Sequence, residues 1–256
     1  EMCIRDRRGI AMSRPFLILQ LRPEDAASDS EFGCFLARGG LAPDRVHRIR
    51  LDRTPDLSGL SLDGYAGVIV GGGPGCVSDA PETKDPLEAA MESAVLSLMP
   101  DILARDIPFL GCCYGIGVLA HHLGAEVSKR RYGEPIGPVA CERTEAGMAD
   151  PLTGPLPDRF DALVGHKEAV QELPPGAVHL VRSGPCPFQM IRVGDNVYAT
   201  QFHPEADGDE FVTRIEIYKS YGYFPPDEAE TLKATARAAR ITEPQRILAG
   251  FVARHR

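Results

Sequence analysis

No stretch of the 256-residue sequence approaches the roughly 18 to 20 consecutive apolar residues that a membrane span needs. Its first residues also lack the long apolar core of an export signal, so no membrane partner is expected. Positive charge is in deficit: 28 Lys and Arg face 36 Asp and Glu, leaving a net charge of −8 and a pI near 5.4. That balance argues against nucleic acid or an anionic surface as a main partner, and the basic run Lys129, Arg130, Arg131 reads as a solvated strand end. The seven cysteines are odd in number and scattered. With no Cys-x-x-Cys pair and no companion histidine spacing, neither a zinc site nor a disulfide framework is expected, and the chain reads as a protein of the reducing cytoplasm. Neither Gly-x-Gly-x-x-Gly nor Gly-x-x-x-x-Gly-Lys occurs, so no nucleotide cradle or other cofactor is expected.

What is present, 43% hydrophobic and 25% charged residues, suits one substantial core. Residues 1–11 are polar and Arg-rich, stand before Met12, and read as a non-native or disordered leader. The domain pattern then covers 12–223, and 224–256 reads as a helical extension packed on the same domain. In order, 16–21 reads as a buried strand and 22–31 as a polar loop. A helix is expected over 32–39, a half-buried strand at 46–51 and another strand at 67–70. An amphipathic helix follows from 85 and ends near Pro100. Strand, helix, strand is the rhythm of a parallel sheet. Residues 125–199 hold short strand-like pieces without a long helix, which predicts an antiparallel side to the sheet. Beyond residue 208 three helices are expected, the last opened by a Thr242–Gln245 capping box; their apolar faces either complete the globule or dock a partner.

The most informative stretch is 107–124. An apolar run meets Gly111, Cys112, Cys113, Tyr114 and Gly115, and then Ile116, Leu119, Ala120 and Leu123 recur at helical spacing. Glycines two residues either side of Cys113 are what a sharp strand-to-helix turn needs, since a Cβ there would meet tight backbone. Cys113 would stand exposed at a helix N-terminus, where the helix dipole favours thiolate. The alternative is a small buried hydrophobe. His121 and His122 lie about two turns on and read as surface or packing residues.

A second stretch, 197–205, ends in His203 and Glu205, spaced so that the carboxylate can orient the imidazole. A third, Gly71, Gly72, Gly73, Pro74, Gly75, follows the strand at 67–70. Together, in this order, the three resemble the class I (triad) glutamine amidotransferase family, most closely the glutaminase portion of GMP synthase and its stand-alone relatives. The resemblance runs from about residue 16 to 205 and implies a flavodoxin-like three-layer α/β sandwich with a mixed, mostly parallel sheet. It further implies Cys113 as nucleophile, His203 as base and Glu205 as its orienting acid. The N–H groups of Gly73 and Tyr114 would form the oxyanion hole, with Gly72, Gly117, Gly165 and His166 lining the substrate site. The alternatives are a merely structural glycine loop and a plain loop histidine at 166.

The family elbow reads Gly-x-Cys-x-Gly-x-Gln, and this chain has Gly117 in place of the glutamine. The implied reaction is hydrolysis of the γ-amide of glutamine through a cysteine thioester, with ammonia passed to a separate acceptor protein. A gap at Gly117 equally admits a γ-glutamyl compound other than glutamine. A non-catalytic module of the same fold is the third reading.

Overall fold

The computed structural model describes residues 14–256; the expected leader at 1–11 lies outside them. Eleven strands and seven α-helices follow one another among these residues. β1 (Phe16–Gln20), β2 (Val46–Arg50), β3 (Gly67–Val70), β4 (Phe109–Cys112) and β11 (Val197–Thr200) form a contiguous parallel block in the order β2-β1-β3-β4-β11. From β11 the sheet continues antiparallel through β10 (Met190–Val193), β9 (Ala177–Ser183), β6 (Glu134–Arg143) and β7 (Arg159–His166). β5 (Val127–Ser128) and β8 (Ala169–Val170) pair separately.

The apolar runs that read as strands are buried on both faces because successive side chains enter different layers. Leu17, Leu19, Val68, Val70 and Phe109 pack into one core with α2 (Pro86–Arg105) and α3 (Tyr114–His122). Phe16, Ile18, Ile69 and Leu110 face the other, against α1 (Asp25–Gly39) and α7 (Glu243–His255). This is the flavodoxin-like α/β sandwich. α7 buries Ile247, Leu248, Phe251 and Val252, and the rings of Phe16 and Phe251 lie 6.1 Å apart. The apolar faces at the end of the chain are therefore covered by the same globule: α5 (Gly208–Tyr218) and α6 (Ala229–Ala238) share a third core with Ile136 and Leu163.

Three local expectations are corrected and one strand is added. α1 begins at Asp25, within the stretch read as a loop. Its inner face carries Ser28 and Glu31, both buried and bonded to Gln20 and Arg22, so no apolar period marked it. α2 runs through Pro100 to Arg105; burial of Ile102 and the left-handed cap at Asp106, whose N–H reaches Ile102 and Leu103, offset the hydrogen bond that proline forfeits. β7 was not foreseen as a strand. The capping box does not form either, since Thr242 makes no side-chain cap and Gln245 donates to the Ala206 carbonyl at 3.2 Å.

Candidate active site

The parallel ladders end together: Val70 is paired with Gly111 and Thr200 with Cys112. The chain therefore leaves the sheet at 71–73, 113 and 201–203 side by side, at the carboxyl ends of the strands, where α/β sheets place their sites. Cys113 sits at φ 53°, ψ −86° as the N-cap of α3, a conformation costly for a residue with a Cβ. Its N–H is tied to the Thr200 carbonyl at 2.7 Å. At Gly111 an added Cβ would stand 2.9 Å from the Gly115 carbonyl carbon, which is why this flank must be glycine. At Gly115 the nearest atom to an added Cβ is in Val70 at 3.7 Å, ordinary contact, so the tight backbone expected on this flank is not found. Cys112 is fully buried in the core, whereas Cys113 is half-buried.

Two cavities meet at Cys113, sharing Gly73, Gly165 and Tyr223 in their walls. One continues past Tyr114, Gly117, Glu168 and Gln201; the other past Arg22, His203, Phe211 and Arg214. Tyr223 is held there by its hydroxyl, which donates to the Pro74 carbonyl at 3.0 Å. Gln201 Nε2 lies 3.9 Å from Cys113 Sγ.

His203 and Glu205 are both buried and joined by Nδ1 and Oε1 at 2.9 Å. The ring of Phe211 meets the imidazole edge-on with centroids 5.6 Å apart. Behind the pair runs an ionic chain that the apolar patterning did not reveal. Arg214 Nη2 donates to Glu205 Oε1 at 2.7 Å, and its Nε to Glu210. Arg22 Nε donates to Glu31 Oε1 at 2.8 Å, and Arg214 Nη2 approaches that oxygen at 3.7 Å. Gly72 turns its N–H to the same Glu31 oxygen at 3.2 Å, and a Cβ on it would meet His203 Cε1 at 2.8 Å. Gly72 therefore gives room to the imidazole.

Burial sets the protonation states. It pushes the Cys113 thiol up to about 12, against the lowering effect of Arg22 and Arg214. The expected helix-dipole thiolate is thus overridden by desolvation. Burial and Arg214 lower His203 to about 4. Burial alone would raise Glu205, but His203 and Arg214 outweigh it and hold the carboxylate well below its usual range. At neutral pH the arrangement is a neutral thiol, a neutral imidazole and an ionised carboxylate.

The remaining predicted residues fall as follows. Gly73 and Tyr114 border the cavity beside Cys113, and Tyr114 donates its hydroxyl to Glu92 at 2.6 Å. His166 is buried with both ring nitrogens engaged, Nδ1 with the Glu168 carbonyl and Nε2 with Glu134 Oε2, each at 2.8 Å. Its ring therefore fastens structure. With Cys186 these residues place one potential metal-ligand atom each within 4.8 Å, yet Glu134 already accepts from His166, Ser183 and Gln189. Gly117 borders the cavity, but a Cβ on it would lie 3.3 Å from Glu168 Oε1 and from Val77 Cγ2, so a side chain there would press on both. His121 and His122 are exposed.

The family profile for glutamine amidotransferase class-I matches residues 45–216. The chain belongs to this family. Among similar proteins, a GMP synthase [glutamine-hydrolyzing] from Thermosipho melanesiensis is 37% identical over 115 residues, 44% of this chain and 21% of that protein. One from Thermomicrobium roseum is 35% identical over 153 residues, 59% of this chain and 25% of that protein. The chain thus matches about a quarter or less of these relatives' length. A solved glutamine amidotransferase from Thermotoga maritima superposes with a TM-score of 0.69 at 20% identity, over 94% of this chain and 98% of that one. Another from Methylobacillus flagellatus gives 0.68 at 22%, over 95% and 96%.

Proposed function

We propose that the protein is a glutaminase that releases ammonia for a separate acceptor protein, with Cys113 as nucleophile, His203 as general base and Glu205 orienting His203. The observation that carries this reading is the strained Cys113 apex, facing a cavity that is also lined by His203, whose imidazole is bonded to the buried Glu205. Cys113 Sγ attacks the γ-amide carbonyl carbon while its proton passes to His203. Because both groups start neutral, this transfer accompanies attack and does not precede it. The oxyanion forms beside the N–H groups of Gly73 and Tyr114; the latter, in the first turn of α3, has no partner within its helix. Collapse breaks the C–N bond, and His203 returns the proton to the departing nitrogen as ammonia. Water then attacks the thioester and gives its proton to His203, the thiol is re-formed, and glutamate leaves.

A reducing compartment such as the cytoplasm suits a reaction that needs a free thiol; the six cysteines among the described residues are unpaired. The similarity to proteins named GMP synthase supports a synthase of that kind as the acceptor. Incubation with a glutamine-like diazoketone, followed by peptide mapping, tests the assignment. An adduct on Cys113, together with ammonia release from glutamine, is expected. An unlabelled Cys113 or an inert glutamine overturns it.

A further inference from the structure

Tyr223 divides the candidate site. The two cavities that meet at Cys113 have Gly73, Cys113, Gly165 and Tyr223 in common. Two of these are glycines and one is Cys113 itself, so the partition between the cavities is the Tyr223 ring. The cavities offer only about 20 and 30 Å³, room for one or two waters each, whereas a cavity that takes up benzene measures about 150 Å³. A glutamine whose γ-carbonyl stands at Cys113 turns its leaving nitrogen toward His203, in the second cavity, and the rest of its chain must run back into the first. Neither cavity holds it, and it cannot lie across both while the ring stands between them.

The ring is carried by the segment 219–225, which joins α5 to the turn before α6. Lys219, Ser220, Tyr221 and Gly222 are exposed, and Gly222 takes φ 74° with open space where a Cβ would be. Phe224 anchors the far end in the third core, on whose edge Tyr223 also leans. The other ties are polar and single. Tyr223 donates its hydroxyl to the Pro74 carbonyl at 3.0 Å, and Tyr221 donates its own to Glu24 Oε1 at 2.6 Å. Lys167 donates to the Tyr221 carbonyl at 2.9 Å and lies 4.1 Å from the centre of the Tyr223 ring. A neutral hydrogen bond changes a closed-to-open ratio by only roughly 2-fold to 13-fold, so an open form is within thermal reach. We propose that residues 219–225 form a lid over the candidate site, with Tyr223 as its latch and Gly222 as its hinge; this rests on the reading of Cys113 as the group that glutamine must reach. Closed, the lid leaves two water-sized cavities. Release of Tyr223 from Pro74 merges them into one cleft that admits the substrate.

The test follows modification of Cys113 by two reagents of different size, read by peptide mapping and so independent of turnover. Hydrogen peroxide is close in size to the waters that the closed cavities admit; iodoacetamide is larger. Tyr223→Phe removes the bond to Pro74 and keeps the ring. Tyr221→Phe removes the bond to Glu24 at an exposed residue that lines neither cavity. Each variant is expected to speed capture of Cys113 by iodoacetamide by roughly 2-fold to 13-fold, the worth of one hydrogen bond, and to leave the rate of peroxide oxidation unchanged; thermal melts check that both fold. Unchanged capture by iodoacetamide in either variant overturns the lid. Equal acceleration of both reagents overturns it too, since that is the mark of a more acidic thiol. Ammonia release from glutamine is measured alongside: its absence in the unmodified protein overturns the glutaminase reading, while the two reagent rates still decide whether the lid exists.

Discussion

Arg214 donates to the same oxygen of Glu205, at 2.7 Å, that receives Nδ1 of His203 at 2.9 Å. The guanidinium thus fixes the carboxylate that fixes the imidazole, and it also helps keep that imidazole neutral. Replacing Arg214 by Leu strands Glu205, Glu210 and Glu31 in the interior with one cation fewer. Breaking a buried pair in this way costs about 3 to 5 kcal/mol, read by urea unfolding. Loss of Arg214 also removes a positive charge that lowers His203, so the acid limb of kcat/KM moves to higher pH. An unshifted limb with normal stability would mean the guanidinium is a bystander.

The pH profile of the unmodified protein follows from His203. Its folded pKa is lowered to about 4, from 6.5 in ordinary surroundings, so the base stays neutral well into the acid range. The kcat/KM for glutamine should be flat from pH 8 to about 5 and fall near pH 4; a midpoint near 6.5 would contradict this. Stability carries the same signature. Between pH 6.5 and 4 the unfolded chain binds a proton at this histidine that the folded chain refuses, so stability falls as pH drops through that window, by up to about 1.4 kcal/mol per pH unit. Glu210, pushed up to about 7 by burial, acts oppositely: the folded chain binds its proton first, so its contribution grows as pH falls from 7 to 4.5. Glu210→Gln removes that offset and steepens the acid loss, which thermal melts across pH 4.5 to 7 would register.

Restoring the family glutamine at 117 should harm the protein. Gly117→Gln drives a side chain into Glu168 and Val77, both 3.3 Å from the first added carbon, and overpacking of this kind typically costs about 1 to 3 kcal/mol. The kcat/KM for glutamine is expected to fall at least about 10-fold. An increase would show that Glu168 and Val77 give way to the added side chain.

Gly111→Ala tests the turn. The new Cβ would stand 2.9 Å from both the Gly115 carbonyl carbon and the Phe109 ring, so strand and helix must separate and Cys113 must move. Loss of about 1 to 3 kcal/mol of stability and loss of ammonia release are expected together. Gly115→Ala, with its nearest atom at 3.7 Å, should be milder in both assays.

The parallel half of the fold was legible because its strands are uniform apolar runs and its turns are glycines, and Cys113, His203 and Glu205 sit where those strands end. What escaped the sequence was polar. Ser28 and Glu31 occupy the buried face of α1, so a helix read from apolar spacing started seven residues late. Arg214 and Glu210 lie outside the apolar spacing of α5, and only the fold brings Arg22, from the loop after β1, and Glu31, from α1, against them. Glu168 lies in a loop whose meaning depends on the 77–78 amides, about ninety residues earlier in the chain. Burial, which patterning does not grade at a turn, reversed the expected direction of the Cys113 pKa.

Adjacent thiols give the most direct test of the central claim. Cys113 faces the cavity, while Cys112 is fully buried in the core. Cys112→Ala removes only a packed sulfur, so ammonia release from glutamine should stay within a few-fold of the unmodified protein. Cys113→Ala should abolish release while leaving the unfolding transition in place. Equal loss in two folded variants, or activity surviving in Cys113→Ala, would contradict the account.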